Sequence, residues 1–142
     1  MWGCATHPNE QIFATTGADL CVRTWHENKM VAVSQQLPSD PTAVDWSGCG
    51  KFLAIGDRNG DCTIMDAKTL QVLGSIKSSL SGKKDAWVED IKFSPDSTKV
   101  AFGTHGGLSK LEVVTVNAQG KPTNIAHGKL GLSSALICVD WS

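Results

Sequence analysis

Short apolar runs separated by polar, glycine-bearing turns dominate this chain. The stretch "FLAIGDRNGDCTIMD" (52–66) has two apolar runs around a polar knot, and a looser copy, "VAFGTHGGLSKLEV", returns 47 residues later. Ala43 to Trp46, Val88 to Phe93 and Leu136 to Trp141 are apolar-rich with partial alternation, and each ends at a Ser/Gly/Pro turn or at the chain end. That spacing predicts half-buried strands. Phe52 to Ile55 and Val100 to Phe102 are near-continuous apolar runs, as a strand covered on both faces requires. The connecting "GDRNG" and "GTHGG" supply Asn and Gly residues that tolerate positive φ. In "MDAKTLQVLGSI" the turn falls at Asp66 to Thr69 and leads into a further strand. No stretch sustains a 3.6-residue period, so the pattern predicts an all-β chain with almost no helix.

The strands recur as a unit. Shifted by 40 residues, "FATTGADLCVRTWH" (13–26) overlies "LAIGDRNGDCTIMD" (53–66), with Ala14 on Ala54, Val22 on Cys62 and Trp25-His26 on Met65-Asp66. Shifted by 47, Ala54, Gly56 and Gly60 meet Ala101, Gly103 and Gly107. A second anchor, "THP" (6–8), "WSG" (46–48), "FSP" (93–95) and "WS" (141–142), keeps the same register at spacings of 40, 47 and 48. Four strands per 40 to 48 residues is the period of a β-propeller blade. The expected blades are residues 2–41, 42–86 and 87–135, with 136–142 as the first strand of a fourth. Asp19, Asn59 and Gly106 are expected in the turn between the second and third strands, with Asp19 accepting backbone N–H groups there.

Trp25-His26, Met65-Asp66 and Glu112-Val113 are assigned to the place of a Trp-Asp signature, and "FSPDSTKVAFGTHGG" is similar to the inner-strand text of WD repeats. "WGCATHP", "FLAIGDRNGDCTIMDAKT" and "ICVDWS" narrow the likeness: the chain resembles the echinoderm microtubule-associated-protein-like family over nearly its whole length. The resemblance implies a cytoplasmic, microtubule-associated binding module whose partner is tubulin. A generic WD-repeat adaptor for another protein complex is the alternative. Three units and one strand make about 3.3 blades, whereas closed propellers use ~4 to 8. The chain is therefore expected to be an incomplete propeller that needs further blades or self-association to close. Ile12, Phe13 and Val22 at one end, and Leu111, Val113 and Val114 at the other, are the residues expected to be left uncovered.

Composition changes this picture little. The net charge is −1 over 142 residues, which gives no overall attraction to nucleic acid or an anionic membrane. Five cysteines without a Cys-x-x-Cys pair, and no secretory leader pattern, read as a reducing setting with cysteines serving as small hydrophobes. No apolar run approaches the ~18 residues of a membrane span.

Chemistry-bearing motifs are scarce. Gly82-Lys83 lacks the Walker spacing, no Gly-x-Ser-x-Gly elbow occurs, and His7, His26, His105 and His127 stand far apart. These histidines are expected in turns or at strand ends, and no catalytic residue, cofactor or metal is assigned. Trp25, Trp46 and Trp141 recur at repeat anchors and read as core, whereas Trp2 and Trp87 stand beside loops. One segment stands out: "IKSSLSGKKDAW" (76–87) is an expanded connection between blades with three lysines. In a propeller it shares a face with the turn at Arg58 and Asn59. Arg58, Lys77, Lys83 and Lys84 are therefore the candidate protein-binding residues, a cationic rim for an acidic partner such as tubulin.

Overall fold

The computed structural model describes residues 2–105, 110–128 and 138–142. Among the described residues twelve strands form three four-stranded antiparallel sheets, each with its strands in sequence-adjacent order. The first holds β1 (Gly3–Thr6), β2 (Ile12–Thr16), β3 (Val22–His26) and β4 (Lys29–Val33). The second holds β5 (Pro41–Trp46), β6 (Phe52–Asp57), β7 (Cys62–Asp66) and β8 (Val72–Ile76). The third holds β9 (Val88–Phe93), β10 (Lys99–Thr104), β11 (Lys110–Val116) and β12 (Pro122–Gly128). No helix occurs among the described residues. The first strands pack side by side, β1 against β5 and β5 against β9, so the sheets radiate from a common axis as propeller blades do. The described sheets do not close into a ring.

The pairing register tests the repeat. Ala14 pairs with Thr24, Ala54 with Ile64, and Ala101 with Val113. Trp25-His26 and Met65-Asp66 are thus equivalent, as the alignment requires. The third pair is not Glu112-Val113 but Val114-Thr115, which faces Val100 and Lys99. The paired residues Ala101 and Val113 stand two positions further apart in sequence than Ala54 and Ile64, so a constant shift of 47 slips past the difference. Asp19 and Asn59 lie in the turns joining second and third strands; Gly106 lies outside the described residues.

Two apolar layers hold the sheets together. Ala14, Val22, Val44, Trp46, Leu53, Ile55 and Met65 fill the space between the first and second sheets. Ala54, Cys62, Ile64, Val88, Ile91, Phe102 and Val114 fill the space between the second and third. Strand β6 serves both layers, Leu53 and Ile55 on one side and Ala54 on the other, because side chains alternate along a strand. A Cβ on Gly56 would lie 2.3 Å from Val88 Cγ1, so the close approach of β9 to β6 depends on glycine there. Contrary to expectation, Ile12, Val22 and Val114 do not lie on the open outer faces. Val22 and Val114 are fully buried, because their positions in the alternation turn them inward to the middle sheet. Ile12, in phase with Ala14 on β2, also turns inward and packs against the layer shared with the second sheet, whereas Phe13, Leu111 and Val113 remain half-buried. Of the anchor tryptophans only Trp46 belongs to the core. Trp25 is half-buried, stacks with Phe13 at 6.2 Å between ring centroids and donates Nε1–H to Thr15 Oγ1.

Polar latches repeat between neighbouring sheets. Asp45 Oδ2 accepts the Phe93 N–H at 2.8 Å, and Asp90 Oδ2 accepts the Val139 N–H at 2.8 Å. Trp46 donates Nε1–H to the Ala5 carbonyl at 3.1 Å, and Trp141 donates to the Lys92 carbonyl at 3.0 Å. Thr42 Oγ1 donates to the Val88 carbonyl at 2.7 Å. Cys138 to Ser142 therefore run beside β9, although they carry no regular strand; Leu136 and Ile137 lie outside the described residues. Asp45→Ala should lower stability by about 1–3 kcal/mol, because it strands a polar N–H in the inter-sheet layer. Asp45→Asn, which retains an acceptor, should recover most of that loss in urea or thermal melts.

Candidate functional site

The turn after β6 and the connection from β8 to β9 form one surface. The Gly82 N–H donates to the Asn59 carbonyl at 3.0 Å, and a Cβ on Gly60 (φ +85°) would lie 2.3 Å from the Ala86 carbonyl oxygen. Only glycine permits both the left-handed turn and that backbone approach. Arg58 and Asn59 thus sit beside the lysine-bearing loop. Arg58, Lys77, Lys83 and Lys84 are all exposed. The Arg58 guanidinium lies 3.8 Å from Asp40 Oδ2, and its backbone N–H donates to the Asp40 carbonyl. This cation therefore faces a carboxylate.

The loop is pinned from beneath. Glu112 on β11 is fully buried and its Oε1 accepts the Ser79 N–H at 2.9 Å and the Ser79 hydroxyl at 2.5 Å. His127 Nδ1 lies 3.0 Å from the same oxygen, and Lys110 Nζ donates to Ser79 Oγ at 3.2 Å. A buried carboxyl group needs hydrogen-bond partners of this kind. Glutamate at this position ties the loop between the second and third sheets to the third. Its buried role was missed in the sequence because the two-residue slip had placed it in the signature position.

The β6–β7 turn is built on a second buried carboxylate. Asp57 Oδ1 accepts the Asn59 and Asp61 N–H groups, both at 2.9 Å. Burial raises its pKa to about 6, helped by the neighbouring Asp61 charge and opposed by the backbone N–H bonds. In the first sheet the matching turn uses Asp19 instead, an exposed residue that ion-pairs with Arg23 and accepts the Cys21 N–H at 3.4 Å. The expected backbone bond at Asp19 is present, though the guanidinium is its principal partner.

A cleft of ≈ 400 Å³ opens beside this turn, lined by Trp2, Asp40, Thr42, Arg58, Trp87 and Glu89, with Val88 at its base. Trp87 stacks on His105 with centroids 4.1 Å apart and planes at 8°, and its Nε1–H donates to Glu89 Oε1 at 2.6 Å. His7 does turn work, its Nδ1 accepting the Asn9 and Glu10 N–H groups. Among the described residues no group of three His, Cys, Asp or Glu side chains is arranged to hold a metal ion.

Comparison with known proteins points one way. Residues 11–81, half of the chain, match the family described as the anaphase-promoting complex subunit 4 WD40 domain. Over its whole length the chain is 26% identical to human echinoderm microtubule-associated protein-like 3 and 27% identical to human echinoderm microtubule-associated protein-like 2. It spans only 15% and 21% of those relatives. The crystal structure of Saccharomyces cerevisiae Sqt1 superposes with a TM-score of 0.75 at 14% identity, covering 94% of this chain and 36% of that one. At that identity the likeness speaks for the fold.

The elevated pKa of Asp57 has a testable consequence. The folded chain holds the Asp57 proton up to pH about 6, whereas an unfolded aspartate releases it near pH ~3.9. This group's stabilisation is complete below that lower value and is lost as pH rises through about 6. Asp57→Asn keeps an oxygen acceptor for both N–H groups and cannot ionise. Its melting temperature should fall less than that of the unmodified chain between pH 4 and 6.5, and the gap between the two should widen with pH.

Proposed function

Because the chain belongs to the WD40-repeat family, we propose that it acts as a non-enzymatic protein-binding module of a microtubule-associated propeller, contacting tubulin through its cationic rim. The carrying observation is the match of the entire chain to the echinoderm microtubule-associated protein-like relatives. The exposed lysines Lys77, Lys83 and Lys84 on a loop pinned by Glu112 support it. A rigid scaffold that presents mobile cations suits an acidic partner, chiefly by raising the rate of encounter. Arg58 contributes less to that rim than the lysines, since Asp40 lies beside it. The site of action on this reading is the cytoplasmic microtubule cytoskeleton. The half-buried Phe13 and Trp25 on one side, with Leu111 and Val113 on the other, are seats for further blades or for a second copy of the chain.

Co-sedimentation with microtubules tests this reading. Binding should be present at low ionic strength and weaken with added salt, as charge-driven contacts do. Lys83→Glu together with Lys84→Glu should weaken it several-fold. Stability should change by no more than ~0.5 kcal/mol, because exposed lysines away from packing rarely alter folding. Absence of co-sedimentation at low salt would overturn the tubulin reading in favour of an adaptor with another protein partner.

A further inference from the structure

Trp2, Asp40 and Trp87 each stand immediately before the first strand of their sheet, β1, β5 and β9 respectively. Since those strands pack side by side, the three residues converge where the blades meet, and together they line the ≈ 400 Å³ cleft. Its walls combine two features seldom left together in solvent. The first is aromatic surface. Trp2 is 58% exposed, a large indole without a covering neighbour. Trp87 is clamped, one ring face on His105 and its Nε1–H on Glu89, so the indole is held in one orientation.

The second feature is charge. Asp40 and Glu89 bring two carboxylates to the cleft and Arg58 one guanidinium. The Asp40–Arg58 separation of 3.8 Å, with Arg58 63% exposed, is a loose surface pair that contributes little to stability and yields readily to a competitor. His105 Nδ1 lies 3.0 Å from Glu89 Oε1, behind the indole. Indole faces are electron-rich and attract cations. Thr42 Oγ1 is directed to the Val88 and Gly56 carbonyls rather than to the cleft.

We propose that this cleft is a docking site for an arginine side chain presented by an extended basic segment of a partner protein. A guanidinium stacks flat on indole and forms paired hydrogen bonds with a carboxylate, which lysine does not. The volume accommodates the side chain with its flanking backbone. Charge complementarity selects this occupant: an anion would meet two carboxylates, and a purely apolar group would leave both of them desolvated. The inference is independent of the tubulin reading, which concerns the lysine loop and an acidic partner.

The test follows the indole N–H resonances of the ¹⁵N-labelled full chain during titration with a nonapeptide carrying one central arginine among glycine and serine. Signals are assigned with Trp2→Phe and Trp87→Phe. The Trp2 and Trp87 signals should shift saturably while that of Trp46, in the core, stays in place. Replacing arginine by citrulline, equal in shape but neutral, should weaken binding by about fivefold or more. Glu89→Gln keeps an acceptor for Trp87 Nε1–H, so the fold is retained, and it should weaken the arginine peptide to a similar extent. Trp2→Ala, an exposed position, serves as a second variant with the same expectation. Equal affinity for the citrulline peptide, shifts absent from both indoles, or no saturation up to about 5 mM peptide, where binding would be worth under ~3 kcal/mol, would each overturn the proposal.

Discussion

Burial of the second sheet on both of its faces is the constraint from which the rest follows. A sheet with an apolar face must bury that face against another element, and each of these sheets has one. The β5–β8 sheet solves this twice, giving Leu53, Ile55 and Met65 to the first sheet and Ala54, Cys62 and Ile64 to the third. At ~25 cal/mol for each Å² of apolar surface removed from water, these two layers are the principal favourable term available to the fold. The outer sheets have only one such layer each among the described residues. Their second faces remain partly open, and this explains why β-propellers are stable as rings rather than as single blades.

That packing leaves little freedom for the polar groups caught near it. Asp45 and Asp90 answer N–H groups across the sheet boundaries, and Glu112 answers a loop. Each carboxylate sits where an apolar layer meets backbone whose hydrogen bonds no strand partner supplies. The consequence for function is positional. The loop carrying Lys77, Lys83 and Lys84 is long, yet its backbone is held at Ser79 by Glu112 and at Gly82 by the turn at Asn59. Flexible side chains are thereby presented from a fixed backbone.

The two surfaces brought together beside the β6–β7 turn differ in character. One is a row of solvated ammonium groups, suited to long-range attraction and tolerant of the partner's geometry. The other is a walled cleft with clamped aromatic and carboxylate groups, suited to selecting a single side chain. Arg58 lies at their boundary and is held toward the cleft by Asp40. A repeat scaffold can carry both, because its rim loops vary while the layers beneath them do not.

The periodic text from Ala14 to Met65, with its second anchor at Trp46 and Phe93, was sufficient to establish the blades, since alternation and turn residues are local properties of the chain. The loop's neighbour could be named as well, because blade topology dictates which turns share a rim. What escaped was decided by distance in space. Two extra residues between the paired positions of β10 and β11 shifted Glu112 from a signature position into a buried anchor, and only pairing with β10 reveals it. Val22 and Val114 turned inward because the alternation is set by which face the middle sheet covers, a fact no single strand contains. The cleft of Trp2, Asp40 and Trp87 was equally hidden: these residues are 38 and 47 positions apart, and they meet solely because three first strands pack around one axis.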